Sequence, residues 1–148
     1  MTRRRGYTLV EMITVAGLSL VVCSLVGSLY LTTTRAIETE LARSEMMAGA
    51  REVCHYLKRD VRGAESLAVS GDRLTLIARG EAITYANSKG GVSRGSATGT
   101  RLLGGLGLRV RFSPLGAKGV EVKVTGQRTV RSRAIRMDRE MTLARRNP

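Results

Sequence analysis

An α+β fold is predicted, built from one long N-terminal helix, half membrane-embedded and half soluble, packed on a small antiparallel β-sheet head. Three observations predict it. From Met12 to Leu31 twenty residues run without a charge. From Ile37 to Ala64 apolar residues recur at helical intervals. From Glu65 onward the period of the apolar residues changes from that of a helix to two, the period of a strand.

The first pattern defines a membrane segment, expected over residues 7–34. About twenty residues at ~1.5 Å each span the ~30 Å hydrocarbon core of a bilayer. Arg3, Arg4 and Arg5 precede it, so the positive-inside bias holds the N-terminus in the cytoplasm and sends everything after Arg35 across the membrane. Ser19, Cys23 and Gly27, spaced by four, place small residues on one face that can pack against neighbouring helices. One acid, Glu11, interrupts this logic. An ionised carboxylate within a membrane helix costs roughly 2.5–3.5 kcal/mol at the centre and less near the interface, so a partner charge is expected.

Arg5-Gly6-Tyr7-Thr8-Leu9-Val10-Glu11, followed at once by the apolar run, resembles the class III signal of type IV pilins and type II secretion pseudopilins. The resemblance implies a leader over residues 1–6 that a prepilin peptidase removes after Gly6, methylating the new amine of Tyr7. It implies that Glu11, five residues into the mature chain, pairs with the N-terminal amine of a neighbouring subunit, and such pairing answers the cost of the buried charge. Tyr7 stands where the family usually has Phe. No proline occurs before Pro114, whereas major pilins often carry one in this helix. Two other readings compete. A cleaved secretory signal would need a site after the apolar core, where only Val26-Gly27-Ser28 qualifies and the core is too long. A plain anchor would leave Gly6 and Glu11 unexplained.

The second pattern extends the helix through a soluble half, residues 35–62. Ile37, Leu41, Met47, Ala50, Cys54, Leu57, Val61 and Ala64 form its apolar stripe, with Glu38, Glu40, Arg43, Glu45, Arg51, Glu52, Lys58, Arg59 and Asp60 on other faces. Gly63 supplies a helix stop. Residues 63–148, an antiparallel β head, must bury the stripe. Strands are expected at Ser66–Val69, Arg73–Ile77, Ala82–Tyr85, Leu106–Phe112, Val120–Val124 and Ile135–Leu143. Residues 87–105, rich in Gly, Ser and Thr, read as a loop or a short irregular hairpin. About 85 residues allow one small sheet and one core. The segment Leu57–Ala64 and the closing segment Met141–Asn147 also resemble J-type pseudopilins and W-type minor pilins.

Chemistry finds few candidates. Cys23 and Cys54 lie 31 residues apart on one helix, about 46 Å at ~1.5 Å per residue, whereas a disulfide needs Cα atoms within about 7 Å. His55 is the only histidine, and no second ligand stands at metal-binding spacing. No phosphate loop, nucleophile elbow or acid pair is visible, so no catalytic residue, metal or cofactor is expected. The formal charge is +13, and Arg128, Arg131, Arg133, Arg136 and Arg139 concentrate it near the C-terminus. That set is the candidate for phosphate binding. The expected function is a minor pilin or minor pseudopilin, a structural subunit assembled through its N-terminal helix. Its implied partners are other pilin or pseudopilin subunits, the prepilin peptidase, an inner-membrane assembly platform and the lipid bilayer. The alternative is a DNA-binding or DNA-uptake subunit that uses the basic C-terminal face.

Overall fold

α1 begins at Leu9 and runs unbroken to Arg62, 54 residues, in the computed structural model of the chain, which describes residues 8–116 and 118–146. No proline interrupts it, and its hydroxyl residues turn back onto the helix: Thr14 Oγ1 donates to Val10 O at 2.9 Å, Ser24 Oγ to Val21 O at 2.9 Å and Thr34 Oγ1 to Tyr30 O at 2.9 Å. The helix ends without the left-handed glycine expected at Gly63. Gly63 N still donates to Arg59 O, and only Ala64 N, bonded to Val61 O, tightens the last turn.

The chain divides into two compact units, residues 1–38 and 39–148. In the first, α1 carries one segment long and apolar enough to cross a membrane. Each of the fourteen large apolar side chains from Leu9 to Leu31 is at least 52% exposed.

In the second unit the remainder of α1 packs on two antiparallel sheets rather than the single one expected. β1 (Ser66–Ser70), β2 (Arg73–Ala78), β3 (Glu81–Ser88), β4 (Gly91–Ser96) and β5 (Gly99–Leu103) form the first, in sequence order. β6 (Leu108–Leu115), β7 (Gly119–Val130) and β8 (Arg133–Ala144) form the second, and β6 is the strand that meets the first sheet. Of the two readings for residues 87–105, a loop or a short irregular hairpin, the hairpin holds, and it is regular rather than irregular. β4 and β5 form an in-register hairpin, from Val92 opposite Leu103 to Ser96 opposite Gly99. Only Val92 and Leu103 of that hairpin bury large apolar side chains, so the apolar alternation that marks a strand is missing and the backbone ladder to β3 holds it instead.

One core joins helix and sheets, with Val53, Leu57 and Val61 of α1 against Leu74, Leu76 and Tyr85 of the first sheet and Val110, Val120, Val122 and Val124 of the second. The stripe differs in part from expectation. Ile37 and Leu41 are about 60% exposed, and Ala42 and Met46 are buried in their stead. The core begins only where the sheets reach the helix, one turn later than the sequence pattern. Leu106, expected in a strand facing the helix, lies in the turn before β6 and is exposed.

Candidate functional site

The start of α1 is built on a reciprocal cap. Thr8 N donates to Glu11 Oε2 at 2.9 Å and Thr8 Oγ1 donates to the same oxygen at 3.2 Å, while Glu11 N donates to Thr8 Oγ1 at 3.3 Å. This is a capping box, in which the acid satisfies a backbone donor that the first helical turn leaves without a partner. Its sequence signal, Thr8-x-x-Glu11, was legible beside the electrostatic one. Glu11 also places its negative charge at the positive end of the helix dipole. Gly6 and Tyr7 lie outside the described residues. Glu11 therefore stands one turn into an apolar, exposed helix with one carboxylate oxygen engaged in its own chain.

Leaving those fourteen apolar side chains in water would forgo about 1.5–3 kcal/mol each, on the order of 20–40 kcal/mol together. That exceeds the ~5–15 kcal/mol net stability of an ordinary domain. By length and composition the segment is a candidate membrane span. Ser19, Cys23 and Gly27 are exposed on it, and a Cβ added at Gly27 would meet nothing within 4 Å, so the small-residue face is open to a close neighbour.

At the other end of α1 a buried carboxylate ties helix to sheet. Asp60, 6% exposed, accepts from Tyr85 Oη of β3 at 2.6 Å and Arg94 Nε of β4 at 2.7 Å through Oδ2, and from Arg59 Nε at 3.1 Å through Oδ1. Burial pushes the Asp60 carboxyl up, and the hydrogen bonds from Arg94, Tyr85 and Arg59 outweigh it, leaving the group below the usual aspartate value. Burial, with the hydrogen bond to Asp60, pushes the Tyr85 phenol far up. The guanidinium carbons of Arg59, Arg101 and Arg94 stand 4.9, 5.1 and 5.9 Å from the Tyr56 ring centroid. Glu52 completes the attachment, accepting from Arg101 at 3.4 Å and from Gly104 N at 3.3 Å. The sequence pattern sets Asp60 off the apolar stripe, with the other charged residues of the helix. The available signal was its position beside Leu57 and Val61, where a charge interrupts the apolar stripe and calls for a partner.

The five candidate phosphate-binding arginines do not share a face. Arg128 lies opposite Ile135, and Arg139 opposite Val124, so both belong to the helix-side face of the second sheet. Arg128 forms an ion pair with Glu45 of α1. Arg136, opposite Gln127, lies on the outer face in a shallow groove with Arg109 and Asp138. Arg131 and Arg133 belong to the β7–β8 turn. His55 is exposed and stands edge-on to Tyr56 at 6.0 Å. Cys54 is a buried free thiol; burial pushes its pKa up against the opposing charges of Arg139 and Lys58. Among the described residues no three of His, Cys, Asp and Glu converge as a metal site. Comparison with protein-family models, with curated proteins and with solved structures gave no match.

Proposed function

We propose that this chain is a minor pilin or minor pseudopilin, a single-pass inner-membrane subunit that is cut after Gly6 and enters a fibre through its N-terminal helix. The observation that carries the reading is Glu11 at the start of an apolar helix exposed from Leu9 to Leu31, directly behind Arg5-Gly6-Tyr7. A subunit that stays alone would cover such a surface or lack the acid. A subunit that exchanges lipid for neighbouring helices needs both, the surface for packing and the charge for register. The Asp60 attachment supports the same role, because a head keyed to its helix by buried hydrogen bonds follows that helix during assembly. The arginines give the DNA-binding alternative no single face, so assembly is the function proposed.

The test is the intact mass and N-terminal residue of the protein recovered from membranes, with and without a co-expressed prepilin peptidase. A peptidase-dependent start at methylated Tyr7 is expected. A start at Met1 or beyond Ser28 would overturn the reading.

A further inference from the structure

Three arginines gather around one ring between α1 and the β4–β5 hairpin. Arg59 comes from the helix, Arg94 from β4 and Arg101 from β5, and their guanidinium carbons stand 4.9, 5.9 and 5.1 Å from the Tyr56 ring centroid. Arg94 and Arg101 are direct cross-strand partners, and like charges set opposite one another in an antiparallel pair repel. Two carboxylates offset part of this. Glu52 and Asp60 stand four residues before and after Tyr56, on the same face of α1. Asp60 engages Arg59 and Arg94 through their Nε atoms, and Glu52 engages Arg101 through Nη2 at 3.4 Å. Three cations thus share two anions. The hairpin supplies no further acid, since the chain carries none between Glu81 and Glu121, and Arg51 and Lys58 add positive charge on α1.

The arrangement also leaves donors for another acceptor. A guanidinium is a fork of five N–H donors, and each of the three gives its carboxylate a single nitrogen. The Arg94 side chain is 17% exposed, whereas those of Arg59 and Arg101 are 58% and 62% exposed, so the group is closed at its base and open to solvent at its rim. The forks arrive from three different elements. A planar carboxylate is matched by one or two coplanar forks, while a tetrahedral oxyanion offers acceptors in several directions at once.

We propose that Arg59, Arg94 and Arg101, gathered around Tyr56, form a binding site for a phosphate group, carried by inorganic phosphate or by a small phosphate monoester. The ligand supplies the negative charge that Glu52 and Asp60 leave wanting. It also fastens the hairpin to α1. Only Val92 and Leu103 of that hairpin bury large apolar side chains, so an anion shared by the helix and the hairpin steadies an element that the core holds weakly. All of these residues belong to the second unit, and the site requires neither a membrane nor a fibre.

The test uses the full chain in a non-ionic detergent, with chloride adjusted to hold the ionic strength constant. Inorganic phosphate and glycerol phosphate are titrated separately, followed by the width of the phosphorus NMR signal and by hydrogen exchange of the β5 amides. Saturable binding is expected. Exchange in β5 should slow about ten-fold when the ligand stands at about ten times its dissociation constant. Arg101→Gln leaves the Asp60 bonds in place and should weaken binding roughly ten-fold, the loss of one hydrogen bond to a charged group. Arg111→Gln, at an exposed position on β6, should bind as the parent does. Saturation by either compound supports the site, and the tighter of the two identifies the form in which the phosphate arrives. Broadening that does not saturate, or equal weakening by the two substitutions, reports general attraction to a basic protein and overturns the proposal. Acetate that competes at the same concentration as phosphate assigns the site to carboxylates and overturns the phosphate class. That comparison on the parent chain keeps the test decisive if Arg101→Gln fails to fold.

Discussion

The side chain of Asn87 pairs with Val110 as a strand backbone would. Its Nδ2 donates to Val110 O at 2.9 Å and its Oδ1 accepts from Val110 N at 2.8 Å. Asn87 belongs to β3 and Val110 to β6, so one amide joins the two sheets where no backbone ladder does. Asn87→Ala removes both bonds and leaves two backbone groups without partners. A loss of about 1–3 kcal/mol is expected in urea unfolding of the detergent-solubilised chain. Asn87→Asp should cost more, because a carboxylate would face the Val110 carbonyl. An unchanged midpoint for Asn87→Ala would show that water replaces the amide.

Stability should fall at both ends of the pH scale for separate reasons. The folded value of Asp60 lies below its unfolded value near 3.9, so its contribution is complete above about pH 5 and is lost as pH falls through the folded value. The folded value of Tyr85 lies above its unfolded value near 10, so its contribution is complete below about pH 9 and is lost as pH rises beyond it. Asp60→Asn should flatten the acid limb and Tyr85→Phe the alkaline limb. At neutral pH Asp60→Ala should cost about 3–5 kcal/mol, since Arg94 would keep a largely buried charge without its partner. Denaturant midpoints measured across pH decide this; identical acid limbs for Asp60→Asn and the parent would count against it.

Gly107 and Gly105 share one turn and should differ sharply in their response to alanine. Gly107 has φ of 88°, and a Cβ there would lie 2.2 Å from Gln127 O, whose residue donates its N–H to Gly107 O at 3.0 Å. A Cβ on Gly105 would meet nothing within 4 Å. Gly107→Ala is expected to cost more than about 3 kcal/mol or to prevent folding, and Gly105→Ala to stay within about 0.5 kcal/mol. Thermal unfolding of the two variants side by side is the check.

Glu11 caps the helix, and substitution separates that role from the assembly role proposed for its charge. Glu11→Ala loses the cap and the charge, while Glu11→Gln keeps an oxygen for Thr8 N and loses only the charge. Both variants are expected to be processed and inserted. Both should fail to enter fibres, and Glu11→Ala should also lose about 1 kcal/mol of order in the first turn. Efficient incorporation of Glu11→Gln into sheared fibres would show that the cap, and not the charge, is what the position supplies.

Much of this protein was legible because local patterns report local structure. The charge-free run of Met12–Leu31, the helical recurrence through Val61 and the alternation of Leu108, Val110 and Phe112 each follow from which side chains avoid water along one element. The capping box at the start of α1 is equally local, since Thr8 and Glu11 stand only three residues apart. Where alternation was weak the sequence was mute: the β4–β5 hairpin is held by backbone pairing to β3, which leaves no trace in side-chain hydrophobicity.

What the sequence by itself determined is therefore the kind and order of elements: a membrane-length apolar helix with an acid at its start, an amphipathic continuation and a β head. Only the tertiary structure decided the rest. It split the head into two sheets and joined them through Asn87 and Val110. It buried Asp60 by bringing Tyr85 and Arg94 to it from 25 and 34 residues away, and it spread the C-terminal arginines over two faces and a turn. The physical reason is the same in each case. Hydrogen bonds and ion pairs between distant residues depend on where strands are set in register against a helix, and that register comes from packing the shared core, which no window along the chain contains.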